Sequence, residues 1–234
     1  MMNEIAGKDN LEISEELIRR FDSLGPRYTS YPTADRFDTG FTVRDYAHYL
    51  EQRNAAVNKP PLSLYIHIPF CASLCYYCAC NKVITKDRSK SAIYLSYLEK
   101  ELRLVQQHLS ARETVSQLHL GGGTPTFLSH DEMRGLMAML RKHFDFSDDA
   151  EISIEIDPRT VTSETLNLLA ELGFNRTSLG VQDFDAQVQT AVHRIQPFEM
   201  VEKCINESRA AGFQSINFDL IYGLPKQNLE SFSR

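Results

Sequence analysis

From residue 62 onward, apolar residues alternate between two rhythms. Leu62 to Phe70, Val115 to Leu120, Ile152 to Ile156, Arg176 to Val181 and Ser215 to Ile221 are short segments rich in Leu, Ile and Val that read as strands. Between them the spacing turns helical. Leu95, Leu98, Leu102, Val105 and Leu109 share one face of a helix over Ser91 to Leu109, and Ser129 with Glu132 forms a capping box for a helix ending near Phe144. Thr162 or Ser163 opens another helix, with Leu166, Leu169 and Leu172 on its apolar face and Gly173 at its end. A short helical turn spans Ala186 to Val192, and a longer helix runs from Pro197 to Ala211, stopped by Gly212. Strands alternating with helices predict an α/β fold with a parallel sheet and right-handed crossovers, open or closing toward a (β/α) barrel.

The first sixty residues follow a different pattern. Ser14 caps a predicted amphipathic helix with Leu17, Ile18, Phe21 and Leu24 on one face and Gly25 ending it. The stretch Gly25-Pro26-Arg27-Tyr28-Thr29-Ser30-Tyr31-Pro32-Thr33-Ala34 cannot be a regular helix. It reads as an extended arm packed on the main domain, or as a flap lending aromatic surface to a ligand pocket; pattern alone favours the first. A second helix is expected from Thr42 to about Asn54, with Val43, Tyr46 and Leu50 inward, before Lys59-Pro60-Pro61 marks a boundary. The predicted organisation is an N-terminal helical and extended arm over 1–60 and a barrel core over 61–234. Asn228 caps one more helical start, so the chain is expected to continue into at least one further strand and a C-terminal domain.

Composition narrows the function. With 234 residues and 42% hydrophobic content the chain can bury a sizeable core, while a net charge of −6 argues against a nucleic-acid partner held by phosphate contacts. No stretch approaches the roughly 20 apolar residues of a membrane span, and no apolar run follows a basic start, so a cytoplasmic protein without a membrane partner is expected. Nothing suggests a coiled coil, and a monomer is expected. Four of the five cysteines fall within Cys71-Ala72-Ser73-Leu74-Cys75-Tyr76-Tyr77-Cys78-Ala79-Cys80. In a reducing compartment such clustered thiols are ligands before they are disulfides.

Parallel sheets of this kind carry their chemistry at the carboxyl ends of the strands. The cysteine loop follows the first predicted strand, Gly121-Gly122-Gly123-Thr124-Pro125 the second, Glu155 to Pro158 the third, Gln182-Asp183 the fourth, and Asp219 with Tyr222 to Pro225 the fifth. Every unusual polar or glycine cluster therefore falls on one rim. Cys71, Cys75 and Cys78, spaced by three and then two residues, can wrap one compact iron–sulfur cluster with one iron left open. Cys80, one residue beyond Cys78, makes a strained fourth ligand; a structural zinc using all four thiolates stands as the alternative, though such sites usually take two separated pairs. Glu155 lies in an otherwise apolar strand, where burial without a partner is costly. Cys204 shares a helix face with Met200, Val201 and Ile205 and reads as core. A lone arginine after a helical turn, as at Arg194, reads by pattern as a solvated surface group. His67 carries no assigned role.

Cys-x3-Cys-x2-Cys after a first strand resembles the signature of radical S-adenosylmethionine (SAM) enzymes. The arm Gly25 to Ala34, Tyr65-Ile66-His67-Ile68-Pro69-Phe70-Cys71, Gly121 to Pro125, Glu155-Ile156-Asp157-Pro158, Gly180-Val181-Gln182-Asp183-Phe184 and Asp219-Leu220-Ile221-Tyr222-Gly223-Leu224-Pro225 more closely resemble the oxygen-independent coproporphyrinogen III oxidases of heme biosynthesis. The resemblance implies a partial radical SAM barrel with a 4Fe-4S cluster on Cys71, Cys75 and Cys78 and two SAM molecules per site. It implies Tyr65, Gly122, Gly123, Thr124 and Glu155 near the first SAM, and Tyr77, Gln182, Arg194 and Asp219 at the second. The reaction implied is oxidative decarboxylation of two propionates of coproporphyrinogen III to vinyl groups, giving protoporphyrinogen IX, started by a 5'-deoxyadenosyl radical. No side chain is implied as a catalyst, since the cofactor supplies the radical, and the electron is expected from a flavodoxin or ferredoxin. A related heme-trafficking chaperone is the competing reading; the amino-terminal arm and Cys80 argue against it.

Overall fold

The computed structural model describes residues 13–22, 33–110 and 112–233. The chain divides into two compact units, Met1–Tyr46 and Ala47–Arg234. The first holds α1 (Glu15–Phe21), a 3-10 turn (Ala34–Arg36) and the start of α2 (Val43–Asn54). Ser14 caps α1 as expected, accepting from Leu17 N. Leu17, Ile18 and Phe21 are exposed, as are Val43 and Tyr46 of α2, whereas Leu50, the third residue predicted inward on α2, is half-buried. Polar ties hold the C-terminal end of α2 within the second unit: Arg53 Nη2 donates to Pro60 O (2.6 Å) and Glu113 Oε2 (3.1 Å), and Asn54 Nδ2 to His108 O (2.8 Å). Leu24, Gly25 and most of the aromatic arm, Pro26 to Pro32, lie outside the described residues.

The second unit is built on a parallel sheet. Its main strands are β1 (Leu62–Ile68), β4 (Thr114–Gly122), β5 (Asp145–Ile156), β6 (Arg176–Gln182) and β7 (Ser215–Leu220), paired in chain order, and a two-stranded sheet joins β2 (Phe70–Cys71) to β3 (Val83–Ile84). The helices α3 (Ser89–Gln107), α4 (His130–His143), α5 (Ser163–Glu171), α6 (Ala186–Ala191), α7 (Phe198–Ala211) and α8 (Leu229–Phe232) alternate with the strands. This is the expected α/β architecture, a partial parallel (β/α) barrel. Predicted caps form: Ser129 and Glu132 close their box, Thr162 caps α5, Gly212 ends α7 in the left-handed region, and Asn228 caps α8.

Strand periodicity of two sorts the side chains. Ile68, Leu118, Leu120, Ile152, Ile154, Ile156, Leu179 and Val181 point to one face and pack with Met133, Leu136, Met137, Leu140, Leu166, Leu169 and Val201 of the helices. Cys204 lies in this core, 3% exposed, as read from sequence, and burial pushes its thiol up to about 11. The alternate positions, Tyr65, His67, His119, Ser153, Glu155, Ser178 and Asp219, make a polar inner face, and a polar face here means a site and not a second core.

The strand predicted to Phe70 ends two residues earlier. Pro69 has no N–H to give the ladder, so the main strand ends at Ile68 and Phe70–Cys71 pairs instead with Val83–Ile84. Val83 N donates to Pro69 O (2.7 Å) and Thr85 N to Cys71 O (2.9 Å), closing the cysteine loop at its base.

Candidate functional site

A cavity of about 420 Å³ opens at the carboxyl ends of the strands. It is lined by all four loop cysteines and by Tyr77, Gly122, Gly123, Thr124, Glu155, Gln182, Arg194 and Asp219, so the rim expected from sequence is one physical site. Tyr65 stands off that lining, on the inner face of β1. Its hydroxyl is 3.1 Å from His67 Nδ1, and its ring stacks on His119 at 5.9 Å. His67 Nε2 is 2.8 Å from Asn81 O; a carbonyl only accepts, so that nitrogen carries the proton and Nδ1 takes the tyrosine's.

The glycine turn is tied directly to the cysteine loop. Gly123 N donates to Ile68 O and Thr124 N to Phe70 O, both at 2.8 Å, and Thr124 Oγ1 lies 3.7 Å from Cys71 Sγ. Gly122 adopts φ +109°, and a Cβ there would meet the His67 ring at 2.6 Å, so a side chain is excluded on two counts. Glu155 reaches the same turn: Gly122 N donates to its Oε2 at 3.1 Å, and His119 Nε2 stands 3.5 Å from its Oε1. The carboxylate is therefore partnered in its otherwise apolar strand, and its side chain is 41% exposed toward the cavity.

Sequence pattern placed Arg194 at the surface, and the structure overturns that reading. The residue is 8% exposed. It donates from Nε (3.1 Å) and Nη2 (2.7 Å) to Gly180 O, and its Nη1 reaches Asp157 Oδ2 (3.4 Å) and Cys75 Sγ (3.7 Å). The partners lie far away in sequence, which hides them from local pattern. Gln182 takes φ +68°, rare for a residue with a Cβ, in a turn closed by Asp183 N to Val181 O at 2.9 Å. Asp219 accepts from Ser178 Oγ at 3.3 Å. Tyr77 packs against the small cluster of Val188, Val192 and Leu224; burial pushes its phenol up, with the Arg194 charge opposing.

Two residues at the rim were given no role from sequence, although one of them, Asp157, lies within the Glu155 to Pro158 motif. Asp157, 8% exposed, accepts from Arg159 Nη2 at 2.7 Å, Nε at 3.0 Å and backbone N at 3.0 Å, and Arg159 Nη2 also lies 3.8 Å from Cys75 Sγ. Burial pushes the Asp157 carboxyl up, but the Arg159 hydrogen bonds and the two guanidinium charges outweigh it and hold the group below the ordinary carboxylate range. Arg159 carried no sequence signal beyond standing two residues after an acid at a strand's carboxyl end.

The donor set suits an iron–sulfur cluster. Cys71 and Cys78 are partly buried and Cys75 is buried, all in the lining of the cavity, with the Thr124 hydroxyl directed at the Cys71 sulfur and two guanidinium N–H groups at that of Cys75. Three thiolates spaced by three and then two residues suit one cube with an iron left open, whereas a structural zinc takes four ligands, usually as two separated pairs. Cys80 is exposed as a residue, but partial desolvation of its sulfur pushes the thiol up to about 11, with Cys78 beside it adding to the rise. Beside the cysteines the cavity is lined by glycine backbone, by the Glu155 carboxylate and by Arg159 and Arg194, which are paired with Asp157.

The chain is 54% identical over 228 residues to the oxygen-independent coproporphyrinogen III oxidase of Pseudomonas aeruginosa, covering 97% of this chain and 49% of that protein. It is 47% identical over 221 residues to the enzyme of the same name from Helicobacter pylori, covering 94% and 48%. Among solved structures, the coproporphyrinogen III oxidase of Escherichia coli, described as a radical SAM enzyme, superposes with a TM-score of 0.80 at 48% identity, over 88% of this chain and 46% of that one. The chain thus spans about half the length of the curated relatives it matches. The sequence profile of the Radical SAM superfamily matches residues 65–234, from the inner-face tyrosine of β1 through every rim motif. With that match laid over a cavity that gathers the cysteine loop, the glycine turn and the carboxylate of β5, the chain belongs to the radical SAM superfamily, whose members use a 4Fe-4S cluster and SAM.

Proposed function

We propose that this chain is part of an oxygen-independent coproporphyrinogen III oxidase, which converts two propionate side chains of coproporphyrinogen III to vinyl groups and yields protoporphyrinogen IX. The observation that carries this reading is the similarity, along almost the whole chain, to enzymes of that name. When bound, the cluster and SAM would supply a 5'-deoxyadenosyl radical that removes a hydrogen atom from the propionate.

The work of the chain itself is to hold and to exclude. Cys71, Cys75 and Cys78 would hold the cluster, and Glu155, with Gly122 to Thr124, would take the first SAM by its amino-acid end. Tyr65 would lie near its adenine. Tyr77, Gln182, Arg194 and Asp219 would receive a second SAM; their presence in the lining of the same cavity supports this. The apolar contacts of Tyr77 with Val188, Val192 and Leu224 limit water on that side. Residues 61–234 would form the barrel part and 1–60 the arm. No helix among the described residues is long and apolar enough to cross a membrane. A cytoplasmic monomer reduced by a flavodoxin or ferredoxin fits this reading.

The test is anaerobic incubation of the reconstituted full-length protein of which this chain is a part with coproporphyrinogen III, SAM and a chemical reductant. Decarboxylated porphyrinogen formed together with 5'-deoxyadenosine supports the proposal. SAM cleavage that ignores coproporphyrinogen III, with no decarboxylated product, contradicts it.

A further inference from the structure

Cys75 differs from the other cysteines of its loop. It is buried, at 8% exposure, while Cys71 and Cys78 are partly buried and Cys80 is exposed. It also faces two guanidinium groups, Arg159 Nη2 at 3.8 Å and Arg194 Nη1 at 3.7 Å. Buried Asp157 holds both: its Oδ2 accepts from Arg159 Nη2 at 2.7 Å and stands 3.4 Å from Arg194 Nη1.

Asp157 cancels one of the two positive charges, so the group as a whole presents one net positive charge and two N–H donors to a single sulfur. Hydrogen bonds to cluster sulfurs and nearby positive charge favour the reduced state, because reduction adds a negative charge to the site. Low exposure keeps water from screening the effect. Arg194 is tied three ways to Gly180 O and Gln196 Oε1, so its place is fixed by β6. The hydrogen bonds of Arg159 run to Asp157 and Cys75. The side chain therefore contributes little to the fold except through this group.

We propose, resting on the assignment of Cys75 as a cluster ligand, that Arg159, held by Asp157, is a positioning residue for the Cys75 thiolate, and that its charge raises the reduction potential of the cluster bound there. It acts through Cys75 and need not touch substrate.

The test is a redox titration of the reconstituted chain and its variants, with iron content measured on each sample. Arg159→Gln is expected to keep wild-type iron and shift the midpoint to more negative potential. Asp157→Asn, which removes the opposing charge, is expected to shift it the other way. Opposite signs are a signature that loosened packing would not produce. A fully loaded Arg159→Gln with the wild-type midpoint overturns the proposal. If Arg159→Gln loses iron, Arg159→Lys decides: iron retained with a midpoint near wild type supports the proposal, and iron lost as completely as from the Gln variant overturns it. Absence of a cluster from the wild-type chain would instead contradict the functional reading on which the proposal rests.

Discussion

A Cβ placed on Gly123 would sit 3.0 Å from Cys71 Sγ, with Phe70 O at 2.7 Å and Pro69 C at 2.9 Å on the same side. Two of the three obstacles are backbone atoms of the segment that carries the cysteine and cannot swing away. Gly123→Ala is therefore expected to cost about 1–3 kcal/mol through overpacking and to displace Cys71. Denaturant unfolding reads the first effect and iron per chain after reconstitution reads the second; wild-type values for both would show that the loop can give way.

Glu155 accepts from Gly122 N and lies open to the cavity, so its charge is available to a ligand. Glu155→Gln keeps size and shape and removes the charge. Loss of a charged hydrogen bond is worth about 1.5–3 kcal/mol, so SAM affinity should fall about tenfold to a hundredfold with thermal stability little changed. Calorimetric titration of SAM into the variant checks this, and unaltered affinity would remove Glu155 from the proposed ligand set.

The capping box of α4 gives a pH prediction. Burial raises the Glu132 carboxyl, but hydrogen bonds from Ser91 and from Ser129 outweigh it and leave the group below its ordinary value. A depressed folded-state pKa stabilises above the unfolded carboxylate value, about 4.3, and that stability is lost as pH falls through the folded value. Glu132→Gln should lower stability by about 1 kcal/mol near neutral pH and converge with wild type in acid. Melting curves across the acid range check it; a constant gap at all pH values would contradict it.

The cysteines should separate by role. Cys75→Ser is expected to abolish iron binding and SAM cleavage together, and Cys80→Ser, on the exposed side of the loop, to keep the cluster. Iron analysis checks both, and iron lost from the Cys80 variant would overturn the assignment of three ligands.

The strands and helix caps were legible because their causes are local. Ser129 and Glu132 are three residues apart, Thr162 precedes its helix directly, and Gly212 follows its own. The shared rim was legible too, since a parallel sheet puts every strand's carboxyl end on one side. What stayed hidden depends on distance or on conformation. Arg194 meets Cys75 across 119 positions, and no periodicity marks an arginine that is bound for burial. The positive φ of Gln182 has no residue-type signature, since glycine would be the usual occupant. Pro69 was visible, but the small sheet of Phe70–Cys71 with Val83–Ile84 was not, because two-residue strands are too short to show a period.

If Cys71, Cys75 and Cys78 hold a cluster with one iron left for SAM, the iron itself should report the ligand. The decisive measurement is the electron paramagnetic resonance spectrum of the anaerobically reconstituted, chemically reduced chain, recorded without and with SAM. The expected result is the signal of a reduced 4Fe-4S cluster whose shape changes when SAM is added. A chain that takes up zinc and shows no such signal, or a cluster signal indifferent to SAM, would contradict the three-cysteine site.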